Sequence, residues 1–576
     1  MYNSQIAEIF EEIADMLELD KEKDRKFEIL AYRKAAVTIG TLQEDVGDIY
    51  RKRGLAGLQE LPGIGKSTSE HIKEYIETGR LKKYDELKKK YPIDFARLTN
   101  IQGLGAKRIL KLYKMLGVKN IDDLKRAIKA HEIRDLEGFG EKSESEIGKS
   151  IAMLESSGGR MLLGIALPEA ERIRDAIRNS GLVERVEIGG STRRMKETVG
   201  DLDILVISSK SDAVMDFVSR LSEVERTLAK GPTKTTVRLK IGLNCDIRVL
   251  EKSSFGAAIQ YFTGNKDHNV KLRQIAIGKG LKLNEYGLFD KKGTNTVTGS
   301  EEEIYRKLGL DWIEPEMRED RGEIELAQQH KLPRLVQLGD VRGDLHVHSR
   351  YTDGANSIEE IADEAAKLGR EYIGMTDHSK SEYVTGGMTD KEFEKYFAAV
   401  DKINDKFDNR ITLLKSSEMD ILKDGSLDLQ NKTLDSMDYR LAAVHTSLKM
   451  DEDEMTKRII KAFDTGYINI FAHPTERIIN QRPPIKMNLD KIFEAAKDNG
   501  VALEIDSFPN RLDLSDENIL LARKYGVKFA IDTDAHRTEH LKLMRYGVST
   551  AKRGWLTKDQ VINTRSLKEL RTFFKR

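Results

Sequence analysis

Residues 343–354 read GDLHVHSRYTDG. Alternation along an extended strand puts His346 and His348 on one side, and Asp353 follows five residues after His348. Further along come His378 in MTDHS, Glu418 in SSEMDIL, His445 in AVHTS, His473 in FAHPTER, and Asp534 and His536 in IDTDAH. Together these are nine nitrogen or oxygen donors, six of them imidazoles from a chain that has 11 histidines. Imidazole mixed with carboxylate suits Zn2+, Mn2+ or Fe2+. Nine donors exceed the needs of one ion and supply two or three. One histidine at a strand end is ordinarily structural, whereas six at successive strand ends point to a metal cluster. An open cluster of this kind lowers the pKa of a bound water.

A second constellation lies upstream, in IGGSTRRMKETVGDLDIL at 188–205. Asp201 and Asp203 are two residues apart, hence on one face of a strand, and NCDIRVL at 244–250 offers Asp246. Three carboxylates from adjacent strands suit two hard ions, Mg2+ or Mn2+. Two ions roughly 4 Å apart clamp the attacking and leaving oxygens of a phosphoryl displacement. Gly189 and Gly190 allow close backbone approach, and Ser191 and Arg194 can donate to triphosphate oxygens. An Asp-x-Asp pair alone is usually just solvated carboxylate. The preceding Gly-Gly-Ser and Arg-Arg make the pattern specific.

Three stretches share a Gly-apolar-Gly form followed by a polar helix: LPGIGKSTSEHI (61–72), IQGLGAKRIL (101–110) and LEGFGEKSES (136–145). Glycine makes turns that other residues cannot. The following helix start aims N–H groups at a phosphate. Lys66, Lys107 and Lys142 stand just after the second glycine, where a DNA phosphate would lie. One copy alone reads equally as a helical connector. Three favour sequence-blind contact with the DNA backbone through Gly63, Gly65, Lys66, Gly103, Gly105, Lys107, Gly138, Gly140 and Lys142.

The elements that must position these residues divide the chain. Residues 1 to about 155 have helical spacing throughout. From 160 to 250, strand-like runs (VERVEIGG, DLDILVIS, TTVRLKIG) alternate with helices, an α+β pattern. Helical pieces fill 251–317, and the charged, proline-bearing stretch 318–339 reads as a linker. From Gly343 on, short strands alternate with helices and end in His, Asp, Glu or Ser, the pattern of a (β/α) barrel whose chemistry sits at the strand C-termini. The 576 residues require several domains. A net charge of +1 confines any nucleic-acid contact to local patches. A single cysteine, Cys245, excludes an internal disulfide framework and fits a cytoplasmic location. No apolar run reaches the roughly 18 residues needed to span a membrane, and the acidic N-terminus does not read as a signal peptide.

YFTGN (261–265), the His-Asn at 268–269, Arg273, GLKLNEYGLF, LGLDWIEPEMRE and AYRKAA (31–36), taken with the patterns above, resemble the family X DNA polymerases. The resemblance implies a helical helix-hairpin-helix region (1–85 for a DNA end, 86–155 for duplex), an α+β nucleotidyltransferase palm (156–250) and a nascent-base-pair subdomain (251–317). It implies Asp201, Asp203 and Asp246 as metal ligands and catalytic residues, with Asp246 receiving the primer 3′-hydroxyl proton and Arg248 steering the triad. It implies Gly190, Ser191, Arg194, Tyr261, Phe262, Gly264 and Asn269 around the incoming deoxynucleoside triphosphate, and Arg273 on the template. Cys245, on the opposite strand face, reads as core. His71 stands where some relatives carry a Schiff-base lysine, and a histidine cannot form that imine. Lys66 and Lys73 nearby make only a weak case for lyase activity.

Residues 340–576 resemble the PHP (polymerase and histidinol phosphatase) domain, a distorted (β/α) barrel. That resemblance implies all nine donors as ligands and Arg511 on a substrate phosphate; Asp506 departs from the asparagine common there. The combined expectation is a monomeric, cytoplasmic repair polymerase acting on gapped or primed DNA. Its PHP domain would hydrolyse DNA as a 3′–5′ exonuclease, 3′-phosphodiesterase or abasic-site endonuclease. The alternatives are a template-independent or RNA nucleotidyltransferase, and a PHP domain that serves only as a scaffold.

Overall fold

The computed structural model describes residues 3–17, 25–42, 45–94, 98, 101, 104–156, 160–297, 299–408 and 410–575. The chain forms two compact units, Met1–Ser157 with Asn480–Arg482, and Gly158–Ile479 with Pro483–Arg576.

The first unit is helical, and one apolar cluster runs through it from Ile6 to Ile151. The expected division at residue 85 falls inside the helix Lys82–Lys90, which buries Leu87 in that cluster. The first glycine of two hairpins has positive φ, +77° at Gly63 and +83° at Gly138, a conformation open to glycine at little cost. The second glycine is extended where it caps a helix: Gly65 before Lys66–Thr78 and Gly105 before Ala106–Leu116. Gly140 precedes Glu141–Ser156 and accepts the N–H of Glu144.

In the second unit, five strands form the palm sheet: β1 (Arg185–Ile188), β2 (Asp201–Ile207), β3 (Val224–Lys230), β4 (Lys234–Leu239) and β5 (Asn244–Leu250), in the order β1-β2-β5-β4-β3. β2 and β5 are parallel, and their register sets Asp203 beside Asp246. The odd positions of β2 carry the carboxylates, while Leu202 and Ile204 are buried on the other face with Cys245.

The stretch expected to be a linker is packed structure. It contains the helix Glu323–Gln328, and Ile324, Ala327 and Leu335 join the apolar core of the 251–317 subdomain. Arg318 and Glu323 are buried and paired. Arg318 donates to Glu301 (2.5 Å) and to the Ile313 carbonyl, and Glu323 bonds His268 Nδ1 (2.7 Å) while Tyr305 bonds Nε2 (2.9 Å). A hydropathy reading counts these residues as solvated because it cannot see their partners.

The remaining strands are β6 (Gly343–Val347), β7 (Tyr372–Met375), β8 (Thr412–Lys415), β9 (Glu418–Asp420), β10 (Leu441–Ala443), β11 (Ile470–Phe471), β12 (Ala502–Asp506) and β13 (Phe529–Asp532). They form parallel sheets β6-β7-β8 and β9-β10-β11-β12-β13. Parallel bridges His378–Glu418 and Val347–Ala535 join the sheets into a barrel. Helices start cleanly, as in the capping box of Ser357 and Glu360. Barrel and palm share a core: Ile479, Leu512 and Tyr546 pack among Leu163, Ala166 and Val199. No described helix is long and apolar enough to cross a membrane.

Two candidate metal centres

At the palm, the loop before β2 is shaped around Asp203. Gly190 has φ +65°, and a Cβ there would lie 2.5 Å from Asp203 Oδ2. Burial, then Asp201, then Asp246 push the Asp203 carboxyl up to about 7. This is the repulsion a divalent cation relieves. Asp246 is held by Thr236 (2.6 Å), Lys234 (2.6 Å) and Arg248 (3.3 Å). The Lys234 ammonium is partly exposed where it pairs with Asp246. The hard oxygen set fits Mg2+ or Mn2+.

The other expected nucleotide contacts are positioned by local partners. Tyr261 and Phe262 pack edge to face at 5.1 Å, and the Arg248 guanidinium lies over Phe262 at 4.5 Å. Asn269 accepts from Gln260 and donates to the Tyr261 carbonyl, each at 2.7 Å. One N–H and one lone pair are left for another partner. Gly264 ends the helix Phe255–Thr263 with φ +68°, beside Arg194. Arg273 lies half-buried on the helix Lys266–Gly278. Ser191 is in the short helix Gly190–Arg193. Arg194 does not stand free: it donates to Glu319 at 3.0 Å and to the Thr263 carbonyl.

In the first unit, Lys66 and Lys142 are exposed beside their hairpins. Gly103 and the side chain of Lys107 lie outside the described residues. His71 is half-buried, stacked on Tyr32 with the Tyr32 hydroxyl 2.9 Å from Nδ1. Burial holds its pKa below the ordinary value despite Glu74 and Glu70. Lys73 faces Glu70 at 4.0 Å.

At the barrel, strand ends bring every one of the nine donors into groups whose ligand atoms lie within 4.8 Å of one another. His348, Asp353, His378 and His536 form one. His346 and His348 with Asp534, His346 with Glu418 and His473, and His378 with Glu418 and His445 form others. Glu418 is the hub: Oε1 lies 2.6 Å from His473 Nε2 and 3.0 Å from His445 Nε2, and Oε2 3.0 Å from His378 Nδ1. Asp534 Oδ1 lies 3.1 Å from His348 and 3.4 Å from His346. Asp353 reaches His536 Nε2 at 3.2 Å.

Polar atoms this deeply buried are nearly always hydrogen-bonded. Here His346 Nε2, both ring nitrogens of His348, and Asp534 Oδ1 are buried and make no hydrogen bond among the described residues. Burial, then His536 and His378, hold His348 down to about 4, so at neutral pH the ring is uncharged and offers one nitrogen lone pair. Burial opposes charge on His536, but Asp534 and Asp353 raise it to about 9. The donor set fits a cluster of borderline transition ions.

Several residues escaped the sequence reading. Glu504 bonds His346 Nδ1 at 2.7 Å and so turns Nε2 to the cluster. Glu476 groups with His445 and His473; its three-residue spacing from His473 was a usable signal. Asp377 accepts from Ser349 N (2.9 Å) and Thr352 Oγ1 (2.7 Å), which fixes the loop bearing His348 and Asp353. Asp420 accepts from His445 N at 3.0 Å, and Asp344 from Thr533 N at 3.1 Å. Arg511 reaches Glu476 (3.4 Å) and Asp506 (3.7 Å). Burial, Asp534 and Glu504 push the Asp506 carboxyl well up despite Arg511. Positive φ at His473 (+25°), Glu476 (+54°) and Asp534 (+49°) marks backbone strain held by these bonds.

Family profiles match this chain for a helix-hairpin-helix domain (residues 1–81), a SAM-like helix-hairpin-helix tandem (95–151), the DNA polymerase beta thumb (258–319) and the PHP domain (344–507). The chain is 36% identical over its full length, and the full length of the relative, to a DNA polymerase/3′-5′ exonuclease PolX of Bacillus subtilis. It is 26% identical to a DNA polymerase lambda of Arabidopsis thaliana over 55% of this chain and 62% of that one. A probable phosphatase of Thermoanaerobacter sp. matches at 31% over 38% of this chain and 89% of its own. The chain belongs to the family X DNA polymerases, in the form that joins helix-hairpin-helix, palm and thumb regions to a C-terminal PHP domain.

Proposed function

We propose that the protein is a template-directed DNA repair polymerase that fills short gaps, and that its PHP domain hydrolyses DNA from the 3′ end. The observation that carries this reading is two separate donor sets in one compact unit, three carboxylates on β2 and β5 and nine donors at the barrel strand ends. The B. subtilis relative named as both polymerase and 3′-5′ exonuclease supports it.

At the palm, Asp201, Asp203 and Asp246 would hold two Mg2+ or Mn2+ ions, which supply charge neutralisation at the attacking and leaving oxygens when bound. Gly190 lets the nucleotide tail approach Asp203. Ser191 and Arg194 bind the triphosphate, Tyr261 and Phe262 limit the sugar, Asn269 touches the base edge, and Arg273 contacts the template. Asp246 receives the primer hydroxyl proton, with Arg248 and Thr236 holding its carboxylate. At the barrel, the nine donors would hold two or three Zn2+, Mn2+ or Fe2+ ions, which supply Lewis acidity and an activated water when bound. Arg511 orients the scissile phosphate. The hairpin glycines and lysines grip the DNA backbone without reading sequence.

The test is one end-labelled gapped DNA incubated with Mg2+ or Mn2+, with and without deoxynucleotides. Extension that follows the template and stops at the gap end, and shortening from the 3′ end when nucleotides are withheld, are the expected products. Extension indifferent to template would overturn the polymerase reading. Internal cleavage at an abasic site without 3′ shortening would replace exonuclease by endonuclease.

A further inference from the structure

Arg194 presents a question that the nucleotide reading leaves open. A guanidinium meant for a triphosphate is already paired to a carboxylate, Glu319, at 3.0 Å. Both are nearly buried, with side chains 11% and 8% exposed. In such surroundings one carboxylate cancels one guanidinium, and an anionic ligand arriving there would meet no net charge.

The structure supplies the missing cation from the barrel. Arg553 is the last residue of the helix Met544–Arg553, which follows β13. Its Nη1 lies 3.1 Å from the Glu319 oxygen that Arg194 uses, and donates to the Arg194 carbonyl at 2.9 Å. Its Nη2 donates to Asp516 at 2.7 Å, and Asp516 also pairs with Arg321 at 3.0 Å. Lys196 stands 3.6 Å from Glu319 on the other side. Arg194, Lys196, Arg553, Glu319 and Asp516 line a cavity of about 400 Å3 together with Arg160, Arg477, Glu197 and Glu517, five cationic side chains against four carboxylates.

We infer that Arg553 is a positioning residue of the nucleotide site: it competes with Arg194 for the Glu319 carboxylate and fixes the Arg194 backbone, so that Arg194 keeps charge for a triphosphate. The barrel is then part of the polymerase site and not only its neighbour. The inference rests on Arg194 being a triphosphate contact.

The test is single-nucleotide addition on a primed template by the full-length chain. Removing the charge in Arg553→Gln should raise the nucleotide KM by about tenfold while kcat stays within about twofold, the scale of one lost charge pair in a coupled network. Arg553→Lys should recover most of that loss. Glu319→Gln in the same chain should bring the double variant back to within about threefold of the parent, because the carboxylate that captures Arg194 is gone. An unchanged KM in Arg553→Gln, or a double variant no better than the single one, overturns the inference. The second outcome also covers a variant that is merely destabilised. Arg194→Gln separates the levels. If it leaves the nucleotide KM unchanged, the triphosphate role of Arg194 is wrong; if it raises KM while Arg553→Gln is silent, only the role of Arg553 is wrong.

Discussion

The palm and barrel centres differ in both donors and setting: three carboxylates at one, six imidazoles with three carboxylates at the other. The barrel donors are closely grouped and deeply buried. His346 and His348 are fully buried, Glu418 nearly so, and buried carboxylates lock the loops that carry them. The palm carboxylates form no comparable close group among the described residues, Asp201 is exposed, and Lys234 sits on Asp246. A buried, pre-organised cluster suits resident ions. Partly exposed carboxylates suit Mg2+ that arrives with its phosphates and keeps several waters.

The strongest challenge to this contrast is reciprocal inactivation. Asp203→Ala should cut primer extension by about a thousandfold or more, equivalent to about 4 kcal/mol of barrel-independent transition-state stabilisation, with 3′ hydrolysis unchanged. His346→Ala should do the reverse. Loss of both activities in either variant would mean that the centres are one functional unit. Next in size, Glu504→Gln should lower metal affinity or hydrolysis about 10- to 100-fold through His346, read by metal content of the purified protein and by hydrolysis in the absence of added metal. Full metal content and full activity would show that His346 needs no such orientation.

A pH series sharpens the palm side. In the metal-free protein the Asp203 carboxyl is raised to about 7. A raised carboxyl contributes stability that is present below the unfolded value and lost as pH rises through the folded one. Mg2+ should therefore raise the Tm more at about pH 8 than at about pH 6, since below the folded value it competes with a proton. Asp203→Asn should flatten that difference, and a thermal melt at both pH values decides it. The smallest effect belongs to the hairpins. Lys66→Ala should weaken DNA binding by about two- to fivefold, equally for all sequences, and reduce the salt slope by about one. Sequence-dependent loss would contradict backbone-only contact.

Much of both centres was legible because their signals are local. Asp201 and Asp203 share a strand face by two-residue spacing alone. The barrel histidines stand where short apolar runs end, and a parallel barrel gathers strand ends by topology. Gly63 and Gly138 declared their turns for the same reason, since positive φ is a property of one residue. The segment 318–339 misled because some of its charges are buried against partners far away in sequence: Arg318 on Glu301 and Glu323 on His268.

The sequence by itself determined which residues are candidates for chemistry, how they fall on strand faces, and the order of the regions that present them. Only the tertiary structure decided how those residues are held. It turned His346 through Glu504, set Asp246 beside Asp203, and brought Arg553 to Arg194 across 359 residues. The physical reason is range. Alternation, turn conformation and capping act over a few residues, whereas burial and charge pairing depend on whatever the folded chain brings within a few ångströms.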